Sequence, residues 1–72
     1  MDDDTPQTFQ FDSSAIASAV YSPRDRTVSI TFTHGGVKTY QGFGAKDWND
    51  LTSAPSAGNH YNTFIRGLFS PA

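Results

Sequence analysis

The side chains with which chemistry could begin in this chain are His34, His60 and Ser56. His34 stands before Gly35-Gly36 and His60 follows Gly58-Asn59, and neither has a carboxylate or a second ligand at a metal-binding spacing. Ser56 lies in Pro55-Ser56-Ala57-Gly58 rather than in Gly-x-Ser-x-Gly, and local spacing places no base beside it, so it reads as a helix cap. Gly42-Phe43-Gly44 lacks the third glycine of a dinucleotide fingerprint and does not stand where a parallel strand feeds a crossover helix. His34-Gly35-Gly36 could serve as an oxyanion loop, but a hairpin turn accounts for the same residues. The expectation is a non-enzymatic protein with no metal and no cofactor.

One anion-binding constellation remains. Ser56, Gly58 and the free amides at the start of a C-terminal helix could hold a phosphate, helped by the positive end of the helix dipole. Arg66 falls on the polar side of that helix with Asn59 and Asn62, so Ser56, Gly58, Asn62 and Arg66 form the candidate set for RNA or a nucleotide. The competing reading pairs Arg66 with Asp47 or Asp50 on a neighbouring helix.

Composition narrows the classes further. The chain has 72 residues and no cysteine, which removes disulfides, thiolate catalysis and thiolate zinc sites and makes a cytoplasmic setting the expectation. No apolar run approaches the roughly 18 residues of a membrane span, so no membrane partner is expected. The formal charge is −2, but Asp2, Asp3 and Asp4 cluster in an acidic leader, and the remainder is near neutral. A diffuse basic surface for nucleic acid is therefore not expected, while a single local phosphate site is compatible with the balance. Residues 1–7 read as a disordered leader, of which residues 1–6 are dispensable for folding, and residues 8–70 as one domain.

The elements that must position these groups follow from periodicity. Thr8 to Asp12 suits an extended segment with Phe9 and Phe11 on one side, either capping the core or forming an arm for a partner. Residues 14–21 read as a strand with Ile16 and Val20 inward and Ala15, Ala17, Ala19 and Tyr21 outward, with an alanine-rich helix as the competitor. Residues 26–33 alternate as a clear strand, with Val28, Ile30 and Phe32 inward. His34-Gly35-Gly36 turns the chain, and residues 37–42 return with Tyr40 inward. A short helix over 45–53 presents Trp48 and Leu51 to the core and leaves Lys46, Asp47 and Asp50 to solvent. In the last stretch Tyr61, Phe64, Ile65 and Leu68 fall at i, i+3, i+4 and i+7, which predicts an amphipathic helix that Pro71 stops. The predicted fold is α+β, a three-stranded antiparallel meander with two C-terminal helices packed on one face.

With both helices on one face, the other would show Ala15, Ala17, Ala19, Thr27, Ser29, Thr31, Val37 and Thr39, with almost no charge. Such a face suits a protein partner or is simply left wet. The partner-binding candidates are Phe9, Phe11, Tyr21, Arg24, Arg26, Thr31 and Lys38, the cations supplying steering toward an acidic patch.

Ser14-x-Ile16, Val20-Tyr21, Val28-x-Ile30-x-Phe32, Gly35-Gly36, Tyr40, Phe43, Trp48, Leu51, Ala54-Pro55-Ser56-x-Gly58, Asn62 and Ile65-Arg66-Gly67 together resemble the KTSC domain family over roughly residues 13 to 69. Gly44-Ala45 departs from the Val-Pro more usual before the family's first helix. The resemblance implies a small module that occurs alone in bacteria and phages or fused to lysyl-tRNA synthetase, without a settled activity. A free-standing copy with an acidic leader also resembles small lytic-phage regulators. That likeness implies binding to bacterial RNA polymerase, on a large-subunit surface, with inhibition of host transcription and readthrough at terminators.

Overall fold

A computed structural model of the chain describes residues 5–71. The acidic leader expected at Asp2 to Asp4 lies outside the described residues. The element order is β1 (Gln7–Gln10), β2 (Ile16–Ser22), β3 (Thr27–Phe32), β4 (Val37–Gln41), α1 (Ala45–Ser53), α2 (Ala57–His60), a π-helical turn (Tyr61–Ile65) and β5 (Ser70–Pro71). The class is α+β, as the periodicity predicts, with an antiparallel sheet and two C-terminal helices.

Among the described residues the sheet has five strands rather than three, in the order β1-β2-β3-β4-β5. The segment around Phe9 pairs with β2 through Phe9 opposite Ala19, and Ser70–Pro71 returns beside β4, with Tyr40 opposite Pro71. A four-residue strand and a two-residue strand are too short for alternation to reveal a partner. Proline is tolerated in β5 because an edge strand needs no inward N–H.

The phase of β2 also differs from the simple alternation. Ile16 lies opposite Phe32, but Ser18 lies opposite Thr31, so Ala17 is an extra residue in a β-bulge. A one-residue insertion inverts the faces of everything after it. Ala19 and Tyr21 are therefore buried in the core while Val20 turns to the open face, the reverse of the expectation. The carbonyl of Ala17 accepts the N–H of Phe11 at 2.9 Å, which satisfies the bulge and fixes the path of the preceding loop.

The core joins Ile16, Ala19, Tyr21, Val28, Ile30, Tyr40, Phe43, Trp48, Leu51, Ala57, Tyr61 and Ile65, with Phe11, Phe32 and Phe69 packed partly buried against it. Phe43 is the largest fully buried side chain, although it lies outside any periodic element. It is delivered there by Gly42, whose φ of 77° turns the chain from β4 under the helices, and its N–H donates to the Arg26 carbonyl at 2.8 Å.

Helix α1 begins at Gly44, whose N–H donates to the Asp47 carboxylate at 3.0 Å, so Asp47 is a cap rather than a free surface charge. Trp48 stacks on Tyr21 with ring centroids 5.5 Å apart, and its indole N–H donates to Gln7 Oε1 at 3.0 Å. That contact ties the first described strand to α1. On the opposite face of the sheet the ladder carries Thr8, Ser18, Val20, Ser29, Thr31 and Thr39, with Ser29 and Thr39 hydroxyls bonded at 2.9 Å. Among the described residues this face has no charged side chain in the ladder, in line with the nearly uncharged face that the sequence predicts.

Candidate functional site

The last helix departs most from its sequence pattern, and its departure creates the surface features. Ser56 Oγ accepts the Asn59 N–H at 3.3 Å and opens α2, in the capping role its position predicts. After one turn the hydrogen bonding widens: the Arg66 N–H donates to the Tyr61 carbonyl at 2.9 Å, an i to i+5 bond. Tyr61 and Ile65 stay buried, while Phe64 is 52% and Leu68 70% exposed, against the expectation that all four pack inward. Leu68 is carried out because the helix has already ended. The N–H groups of Leu68 and Phe69 both donate to the Ile65 carbonyl, and the chain turns to place Phe69 on Phe43, 5.1 Å between centroids. The helix thus stops at Ile65 by turning, not at Pro71, which belongs to β5.

Two grooves flank this element. On the α1 side a cavity of about 510 Å³ is lined by Phe43, Pro55, Phe64, Ile65, Leu68 and Phe69, with Asp47, Asp50 and His60 at its polar edge. The His60 imidazole lies 4.9 Å from the Phe64 ring and covers part of it. No lysine or arginine lines this groove. Asp50 pairs with Lys46 at 3.4 Å on the exposed side of α1, an i,i+4 contact of small energetic weight.

On the other side, Phe32, His34, Gly36, Val37, Lys38, Tyr61 and Arg66 line a cavity of about 270 Å³. Its floor is aromatic. Tyr61 meets Phe32 edge-on at 5.2 Å, and Phe32 stacks on His34 at 5.6 Å with planes only 12° apart. Beneath them the Tyr61 hydroxyl is hydrogen-bonded to that of Tyr40. Burial, with the Tyr40 hydrogen bond adding to it, pushes the Tyr61 phenol up to about 12, and the nearby Arg66 charge opposes the shift.

The residues expected to act together are dispersed. Tyr21, expected beside the open face, is buried against Trp48 and Phe43. Phe9 and Phe11 form a pair at 4.8 Å with Phe9 edge-on to Trp48, so they cap the core on its helix side. Arg24 and Arg26 are exposed in the β2–β3 turn, where Arg26 adopts φ 57°, and Thr31 lies on the open face. Lys38 pairs with Ile30 and therefore projects on the helix side, at the opposite end of the hairpin from the two arginines.

The anion set is divided as well. Ser56 is occupied as a cap, and a Cβ on Gly58 would lie 3.1 Å from that of Ala15, so Gly58 serves a close approach between α2 and the β1–β2 loop. Asn62 is exposed, and Arg66 joins Lys38 and His34 rather than Asp47 or Asp50. Sequence reasoning missed both grooves because their composition depends on the π-helical turn, for which no residue pattern gives a signal. Among the described residues no three or more of His, Asp and Glu come close enough together to hold a metal ion, and no helix is long and apolar enough to cross a membrane.

These features sit on a recognisable framework. Residues 12–69 match the KTSC domain model, and the chain belongs to the KTSC domain family. The crystal structure of a KTSC domain protein from Yersinia pestis superposes with a TM-score of 0.86 at 29% identity, covering 94% of this chain and 96% of that one. A lysine–tRNA ligase from Nostoc punctiforme is 38% identical over 56 residues, which is 78% of this chain but only 10% of the ligase. The chain thus spans about a tenth of the length of that curated relative.

Proposed function

We propose that this KTSC domain is a non-enzymatic docking module that holds a larger protein through the groove between α1 and the π-helical turn. The observation that carries this reading is the exposure of Phe64 and Leu68 on a groove already floored by Phe43 and Phe69. Exposed large apolar groups in a concave setting favour a partner that removes them from water. Asp50 at the edge, whose exposed pairing with Lys46 is weak, favours a partner segment with an apolar side chain flanked by lysine or arginine. The related segment within a much longer lysine–tRNA ligase fits a module that works beside larger protein bodies.

The specific partner proposed is bacterial RNA polymerase, as the likeness to small phage regulators implies, with inhibition of host transcription and terminator readthrough as the outcome. A module of this size acts on so large an enzyme by favouring one conformation or excluding one contact. The groove replaces the open sheet face as the docking surface, because Tyr21 is buried and Lys38 projects on the helix side. Binding of the full chain to purified polymerase, with promoter-dependent transcription measured alongside, tests the reading. A micromolar complex that is lost in Leu68→Asp is expected. Absence of any complex at that concentration removes polymerase as the partner.

A further inference from the structure

The second groove has a chemistry that docking to an apolar segment does not use. From Tyr61 through Phe32 to His34 the rings form a ladder that runs from the core to solvent, where His34 is exposed. Lys38 on β4 and Arg66 beyond the π-helical turn stand among the lining residues, and among the described residues no aspartate or glutamate does. Two of the chain's five lysines and arginines thus share one small cavity with a stacked aromatic surface, in a protein whose overall charge is negative. Net charge alone would not concentrate cations there. The π-helical turn ends at Ile65, which places Arg66 across from the β3–β4 hairpin.

We propose that the groove between the β3–β4 hairpin and Arg66 binds a nucleotide unit, its phosphate between Lys38 and Arg66 and its base against the His34–Phe32 stack. A guanidinium and an ammonium offer charge-assisted donors to phosphate oxygens, and a flat aromatic surface accepts any base. The same unit is presented by a free nucleotide and by single-stranded RNA. A duplex is excluded by size, since a cavity of about 270 Å³ has room for one unstacked base and its phosphate. The site differs from the helix start of α2, where Ser56 and Gly58 are already engaged, and it does not rest on the docking reading.

The test uses the full chain, with ATP and a labelled mixed-sequence single-stranded RNA as probes and fluorescence anisotropy and amide chemical shifts as readouts. Saturable binding is expected, with amide shifts clustered at His34, Lys38 and Arg66, and for RNA a slope of log K against log salt of about −0.7, for the one phosphate held between Lys38 and Arg66. Lys38→Gln and Arg66→Gln should each weaken binding by about tenfold or more, while Arg24→Gln, at the other end of the hairpin, should leave it unchanged. His34→Phe should retain binding and His34→Ala should lose part of it, which separates stacking from charge. Displacement of RNA by ATP identifies a free nucleotide as sufficient; RNA binding that ATP does not displace identifies the strand as the ligand. The proposal is overturned if neither probe saturates, if the shifts cluster elsewhere, or if Arg24→Gln weakens binding as much as Arg66→Gln.

Discussion

Ile65 and Phe64 are adjacent in sequence and opposite in energetics. Ile65 is fully enclosed, so Ile65→Ala removes buried methylenes and leaves a void, at a cost of about 2–5 kcal/mol. Phe64 is half exposed and touches His60, and Phe64→Ala should cost about 1 kcal/mol or less. Urea denaturation midpoints of the two variants check the difference; equal losses would place Phe64 in the core after all. Tyr61 gives a second prediction. Its phenol titrates near 12 in the folded chain against 10.0 as its ordinary value, so the folded state binds the proton more tightly. The associated stability is fully present below pH 10 and is lost as pH rises toward 12. Stability measured across that alkaline range should fall less steeply in Tyr61→Phe. That variant should also be less stable at neutral pH by about 1–3 kcal/mol, because the Tyr40 hydroxyl is left without its partner.

At the level of elements, the joints matter more than the lengths. Gly42 has φ 77° with open space around it, so a methyl there meets no atom but forces an L-residue into the left-handed region. Gly42→Ala should cost about 1–2 kcal/mol from backbone strain alone. Thermal unfolding measures this, and a loss well beyond that range would mean that the turn is coupled to the seating of Phe43. The bulge at Ala17 has a comparable role in β2. Without the extra residue, Ile16 and Tyr21 could not both face the helices, because their separation of five is odd and a regular strand alternates with period 2. The π-helical turn does for the last helix what the bulge does for β2. It keeps Tyr61 and Ile65 on the core and releases Phe64 to the surface.

For the molecule as a whole, the last helix separates two surfaces of opposite character. The α1 side carries apolar groups edged by Asp47 and Asp50, and the β3–β4 side carries Lys38 and Arg66 around exposed aromatic edges. Two such sites should accept different ligands independently. Leu68→Asp should abolish polymerase binding and leave ATP and RNA binding intact, whereas Arg66→Gln should do the reverse. Parallel titrations of both variants check this, and a variant that lost both activities while remaining folded would point to one shared surface.

By itself the sequence determined the class of fold, the β3–β4 hairpin, the uncharged sheet face, helix α1 and the cap at Ser56, because each rests on local periodicity or turn chemistry that neighbouring residues specify. The Ala54-Pro55-Ser56-x-Gly58 run also carried the family resemblance that the match over residues 12–69 bears out. Tertiary structure alone decided the rest. Strands β1 and β5 exist because distant segments pair along a sheet edge, and Phe43 is central because a glycine turn aims it inward. The face of β2 was set by one inserted residue, and that of the last helix by one widened turn. Both are departures from period that cost little locally and are held by the packing of Tyr21, Tyr61 and Ile65 across the core, so no window of sequence around them announces them.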